Sequence, residues 1–163
     1  MSSVVLIREA TSAVDLLAVL RLRWEIYTEE YGDGSPACDR VSHYDRRARH
    51  FGVYVGEEIV GAMRFVFRHE QPAADAIRQF EGPFAPPEGA PVTSSLPTEE
   101  AFDLSGWLGD AHPHLDAEVG RFCIRRDHRS RGLHGIMAQS VMALAEAATV
   151  RRTASIIRFR RAS

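Results

Sequence analysis

Apolar positions along this chain recur at two periods, about two and about 3.6 residues, and the switches between them outline the elements. SVVLIREA (3–10) reads as a short first strand. Thr11 and Ser12 are capping residues, with Asp15 three positions after Ser12. Leu16, Leu17, Leu20, Trp24, Tyr27 and Tyr31 then recur at helical spacing, predicting a helix to about Tyr31. Gly, Pro and Asp in GDGSPACD (32–39) end it, and DRVSHYDRRARH (39–50) is a polar loop with some helical turn. HFGVYV (50–55) and IVGAMRFVF (59–67) form a hairpin around Gly56-Glu57-Glu58. The Pro-, Ala- and Gly-rich stretch 69–97 reads as an excursion from the core, with a short helix at 73–80. EVGRFCI (118–124) is a further strand. Leu133, Ile136, Met137, Ser140, Val141 and Leu144 mark one face of a second long helix, and TASIIRF (153–159) is a last strand. Strands joined by a hairpin and then by a helix predict an α/β (α+β) chain with a mixed, mainly antiparallel sheet and helices on its faces.

Composition narrows the classes. The 163 residues suit one domain, and 45% hydrophobic with 26% charged residues is ordinary for a soluble globular protein. A net charge of −2 gives no global attraction to DNA or anionic lipid. All 20 basic residues are arginines, a bias that reflects a GC-rich coding sequence and lowers the weight of any one of them. Cys38 and Cys123 form neither a metal-type spacing nor a disulfide framework. With no long apolar run and no secretion signal, the cytoplasm is the expected location and no membrane span is expected. HPHLD (112–116) alternates two histidines with an aspartate, but no further ligand cluster accompanies it, so no metal is predicted.

Two local patterns carry chemistry. RDHRSRGLHG (126–135) crowds three arginines and a histidine onto the threshold of the second long helix. A helix N-terminus offers unpaired N–H groups and partial positive charge, and Gly132 lets backbone approach an anion closely. A solvated basic loop is the plainer alternative, and a nucleic-acid surface finds no support beyond the loop. In the second pattern Glu118 and Arg121 stand three apart on a predicted strand, which puts them on opposite faces unless a bulge intervenes. Gly120 is well placed for one. Glu118 also reads as a plain strand-edge carboxylate, and Arg23 as a helix-surface arginine.

The unit from Glu118 to Ala148 resembles the donor-binding core of the GNAT superfamily of N-acyltransferases, whose motif is Arg/Gln-x-x-Gly-x-Gly/Ala. Arg129-Ser130-Arg131-Gly132-Leu133 fits five positions, and His134 takes the sixth. Within that superfamily the chain is similar to the N-acyl amino acid synthases and acyl-homoserine-lactone (autoinducer) synthases. The resemblance rests on Arg23 four before Tyr27, Asp39 and Tyr44-Asp45 with His50 following, Arg64 in GAMRFV, and Glu118-x-x-Arg121, in that order. It implies a GNAT-like domain spanning 1–163 that ends without the usual last helix and strands, an end expected from truncation or an altered reading frame after about Val150.

The resemblance also implies a reaction. An acyl group would pass from a pantetheine thioester, acyl-CoA or acyl carrier protein, to the amine of an amino acid or similar small molecule. Glu118 would assist deprotonation of the amine, with Arg121 beside it. Backbone groups at Arg121, Phe122, Cys123 and Ile124 would hold the thioester and its oxyanion. Arg129, Arg131, Gly132 and Leu133 would take the phosphates. Arg23, Tyr27, Asp39, Asp45 and Arg64 would bind the acceptor: Arg23 through its carboxylate or by fixing Asp45, and Asp39 and Asp45 through its amino group. Arg64, flanked by apolar strand residues, needs a buried carboxylate partner, for which Asp45 and Glu118 are the candidates. The alternatives kept alongside are an acetyl-CoA-dependent acetyltransferase and a non-catalytic domain that binds a thioester or carrier protein.

Overall fold

Strand β1, Val5–Glu9, precedes helix α1, Ala13–Tyr31, whose start is set by Ser12: its hydroxyl accepts from the Asp15 amide at 3.1 Å. Gly32, at φ 82°, ends the helix. A single 3-10 turn, His43–Arg47, leads into β2, Ala48–Val55, and the predicted hairpin follows with β3, Glu58–Phe67. Helix α2 is one turn, Ala74–Ile77, and α3 is another, Pro97–Ala101. Strand β4, Ala117–Ile124, then runs into a 3-10 turn at Arg126–Arg131 and helix α4, Leu133–Ala147, before β5, Thr153–Ser155. The computed structural model describes residues 4–32, 40–89, 94–104, 115–147 and 153–155.

The five strands lie in sequence order, antiparallel from β1 to β4, with β5 parallel to β4. The two faces bury different sets. On one, Phe51, Val53, Met63, Phe65, Phe67, Val119 and Ile124 pack against Leu133, Met137 and Ala145 of α4. On the other, Val19, Leu22 and Ile26 of α1 cover Ala62 and Cys123. Each such fully buried aliphatic side chain contributes about 1.5–3 kcal/mol of transfer free energy. Gly61 permits the close fit of β3 on β4, since a Cβ there would stand 2.8 Å from the Cys123 carbonyl oxygen.

Two expectations need correction. The stretch 69–97 is not an excursion: Ile77, Phe80 and Phe84 are buried against Leu16 and Leu20 of α1, and Leu96 packs with Ala48, Val66 and Leu115. A few large apolar residues anchor a segment whose Pro, Ala and Gly content hides them. On α4, Ile136 is exposed. At about 100° per residue it stands at the edge of a stripe centred on Met137 and Val141.

Candidate functional site

The α1 side of the sheet carries charge where a core would be apolar. Antiparallel pairing sets His50 of β2 opposite Arg64 of β3, and Arg64 opposite Gly120 of β4. Arg64 and His50 are buried, and so is Arg23, which reaches down from α1. All three converge on Asp45, which is 0% exposed. Asp45 sits in its 3-10 turn because Ser42 caps it reciprocally. The Ser42 amide donates to Asp45 Oδ2 at 2.7 Å and the Ser42 hydroxyl at 2.9 Å. Arg23 grips the carboxylate with both fork nitrogens, Nη1 to Oδ1 at 2.7 Å and Nη2 to Oδ2 at 2.9 Å. Arg64 Nη1 donates to Oδ1 at 3.0 Å and to the Ser42 hydroxyl at 3.0 Å. His50 Nε2 lies 3.0 Å from the Asp45 carbonyl oxygen.

The electrostatics follow from burial and this pairing. Burial pushes the Asp45 carboxyl up, but the Arg23 and Arg64 guanidiniums outweigh it and hold the group well below the usual carboxylate range. Burial pushes His50 down to about 4, so its imidazole is neutral. Two guanidiniums around one carboxylate leave an excess positive charge under the centre of the sheet. The Arg23 guanidinium thus pairs with Asp45 inside the protein. Asp45 itself does not reach a substrate amine: its oxygens accept from Arg23, Arg64 and Ser42, and it has no exposed surface. Asp39 lies outside the described residues.

Strand β4 does bulge. Between Arg64↔Gly120 and Ala62↔Cys123, one residue of β3 faces two of β4, Arg121 and Phe122. The left-handed backbone falls on Arg121, at φ 56°, and not on Gly120. That conformation costs a non-glycine residue about 1–2 kcal/mol. It turns Arg121 toward α1, where the guanidinium lies 5.5 Å above the Tyr27 ring. Tyr27 donates its hydroxyl to the Phe122 carbonyl at 3.5 Å, and burial pushes its phenol up to about 12. Burial likewise pushes the Cys123 thiol up to about 12, and the side chain packs under α1. Ala117, Glu118 and Val119 of β4 pair with Thr153, Ala154 and Ser155 of β5, just before the bulge.

Glu118 lies on this side too. Its Oε2 accepts from the Thr98 amide at 2.6 Å, in the first turn of α3. Its Oε1 stands 3.6 Å from where a Cβ on Gly120 would be, so the missing side chain leaves space beside that oxygen. Burial raises the carboxyl above its ordinary value, with the Thr98 hydrogen bond and the Arg64 charge opposing. A raised carboxyl is better matched to accepting a proton near neutral pH. Sequence reasoning missed Thr98 entirely, and nothing local to Glu118 predicts it. Ser42 it could have found, because Ser42-x-x-Asp45 has capping-box spacing.

The arginine-rich turn begins one residue after β4. Arg125 and Arg129 are ion-paired to α1, Arg125 to Glu25 at 3.2 Å and Arg129 to Glu30. Arg129 Nε also donates to the Ile124 carbonyl at 2.9 Å. These two therefore hold the turn against α1, while Arg126 and Arg131 have no ion-pair partner among the described residues. Gly132 has φ 73°, and a Cβ on it would meet nothing within 4 Å. The first hydrogen bonds of α4 run from the Gly135 and Ile136 amides to the Gly132 carbonyl. The amides of Leu133 and His134 precede these bonds, at the start of α4. Phe122 and Leu133 face the α4 side and pack in its core, as does Ile124.

Among the described residues, no helix is long and apolar enough to cross a membrane, and no three His, Cys, Asp or Glu side chains gather as a metal site. Residues 22–139 match the family model of the acetyltransferase (GNAT) domain. No curated protein matches the sequence. Solved structures are similar in fold. A ribosomal-protein-alanine N-acetyltransferase from Brucella melitensis biovar Abortus 2308 has TM-score 0.51 and 16% identity over 93% of this chain and 79% of that one. A GCN5-related N-acetyltransferase from Ralstonia eutropha JMP134 has TM-score 0.52 and 12% identity over 94% and 84%. An integron cassette protein from the mobile metagenome of V. cholerae has TM-score 0.52 and 9% identity over 94% and 75%.

Proposed function

This chain belongs to the GNAT acetyltransferase domain family, and from that premise we propose that it transfers an acyl group from a pantetheine thioester to the amine of a small acceptor that also carries a carboxylate. One observation carries the reading: the bulge on β4 sets Glu118 Oε1, the space over Gly120 and the left-handed Arg121 side by side. The exposed turn at Gly132, with Arg126 and Arg131 beside it, suits the donor's phosphates. The excess positive charge of Arg23 and Arg64 around Asp45, with Arg121 above it, favours an anionic acceptor. Its order of residues, resembling N-acyl amino acid and homoserine-lactone synthases, supports an amino-acid-like acceptor.

The chemistry balances without any further reagent. Glu118 Oε1, directly or through a water, takes a proton from the acceptor's ammonium. The free amine attacks the thioester carbonyl, forming the C–N bond and a tetrahedral intermediate. Amide groups freed by the bulge stabilise its oxyanion. The C–S bond then breaks, and the second ammonium proton goes to the departing thiolate. Arg121 orients the acceptor's carboxylate. Asp45, His50 and Arg64 touch neither substrate and hold the floor of the site. Thiol release from acetyl-CoA, longer acyl-CoAs and acyl carrier protein, each with a panel of amino acids and carboxylate-free amines, tests this. Release that depends on both donor and amino acid supports it, whereas release with no amine preference, or none with any donor, overturns it.

A further inference from the structure

Glu118 owes its position to a segment that the reaction itself does not use. Its Oε2 accepts from the Thr98 amide, and Thr98 is buried. That amide sits in α3, a five-residue helix too short to hold its own place. What holds it is a set of contacts around Glu99 and Arg68. Glu99 accepts from the Leu96 amide at 3.1 Å and from the Leu115 amide at 3.0 Å, and is ion-paired to Arg68. Arg68 Nε donates to the Leu115 carbonyl at 2.7 Å, and its Nη1 to the Ser94 carbonyl at 2.9 Å. Arg47 backs this up from beneath, donating to the carbonyls of Arg68 and Ser95. The segment before α3 and the residue leading into β4 are therefore drawn together at the end of β3.

We infer that Arg68 and Glu99 form a clamp that fixes the Thr98 amide on Glu118, making them positioning residues for the carboxylate that accepts the acceptor's proton. The geometry leaves Oε1 alone to face the space over Gly120, while Oε2 is anchored. The charged groups acting on Glu118 are Arg64 on β3 and Glu99 on α3. Removing Arg68 loosens the donor to Oε2 and withdraws a positive charge from the neighbourhood. Both changes disfavour the ionised carboxylate, so they act in one direction. The clamp rests on the proposed function only in what Glu118 does, not in how it is held.

The test separates the two. In the full chain, the carboxyl titration of Glu118 is followed by carbon-13 NMR and assigned by its loss in Glu118→Gln. In Arg68→Met its midpoint rises by about one pH unit, the share one backbone donor holds, and the acidic limb of kcat/KM moves with it. Arg68→Lys restores part of the shift, because an ammonium keeps the charge but not the fork. A Glu118 titration unmoved in Arg68→Met overturns the clamp. A moved titration with an unmoved rate profile supports the clamp and overturns Glu118 as the base. Should Arg68→Met fail to fold, the Thr98 amide proton of the unaltered protein decides: its chemical shift follows the Glu118 titration if the bond exists, and insensitivity overturns the clamp.

Discussion

Replacing Asp45 by Asn removes one negative charge from between two buried guanidiniums while leaving the volume unchanged. Asp45 takes charge-assisted bonds from Arg23 at 2.7 and 2.9 Å and from Arg64 at 3.0 Å, and two more from Ser42. An asparagine keeps one acceptor oxygen and turns an NH2 group toward these donors, so several bonds are lost and two cations remain uncompensated. Breaking a buried pair by removing one partner costs about 3–5 kcal/mol. Against a typical domain stability of roughly 5–15 kcal/mol, that is a large fraction. For a chain of this size it lowers Tm by on the order of 10 °C. Urea denaturation followed by circular dichroism reads the change directly. Adding Arg64→Met to Asp45→Asn removes one of the stranded charges and recovers part of the loss. A loss below about 1 kcal/mol, or a double variant weaker by the sum of both singles, would refute the view that charge pairing holds this cluster.

Acid should act on the same cluster. His50 is pushed down to about 4 in the folded chain against 6.5 for the free side chain, so stability falls as pH drops from about 6.5 to about 4. Asp45, held low when folded, adds a loss that starts near its unfolded value of 3.8 and continues below it. His50→Gln flattens the upper part of that profile in pH-dependent urea melts; an unchanged slope between pH 6.5 and 4 contradicts it. Arg121→Gly relieves the left-handed backbone, worth about 1 kcal/mol, and loses a cation–π contact of similar size. Its stability therefore stays within about 1 kcal/mol of the parent while kcat/KM for the amino acid falls at least about tenfold, one ion-pair's worth. Gly61→Ala drives a methyl onto the Cys123 carbonyl oxygen, 2.8 Å away, and costs about 1–3 kcal/mol in the same melts, with no loss meaning that β3 and β4 part easily.

Periodicity alone carried the hairpin and the two long helices, because each has a wide buried stripe and a clear start. Thr11 and Ser12 both offered a cap for α1, and the structure uses Ser12. The bulge was foreseeable from Glu118 and Arg121 lying three apart with Gly120 between, but not which residue would adopt φ 56°. Glycine is the usual occupant of that conformation, and here Arg121 takes it, with its guanidinium over Tyr27. The segment 69–97 reads as an excursion because Ile77, Phe80 and Phe84, though at helical spacing, are cut off by Gly82, Pro83, Pro86 and Pro87 before a stripe can form. Ion pairs such as Arg125–Glu25 and hydrogen bonds such as Thr98–Glu118 link residues far apart in sequence, and no local pattern encodes them. The spacing of Asp45 to Ser42 encodes only the cap, while its burial depends on two arginines from distant elements.

The central claim is that Glu118 removes the acceptor's proton beside the bulge. Single-turnover acyl transfer with Glu118→Gln, across pH and with folding verified by an unchanged melt, tests it most directly. The account predicts a loss of about 10²-fold or more at neutral pH. It also predicts that the acidic limb seen in the parent, with its midpoint above the 4.5 of a free glutamate, disappears. A variant that transfers acyl groups at the parent's rate, with the same limb intact, would contradict it.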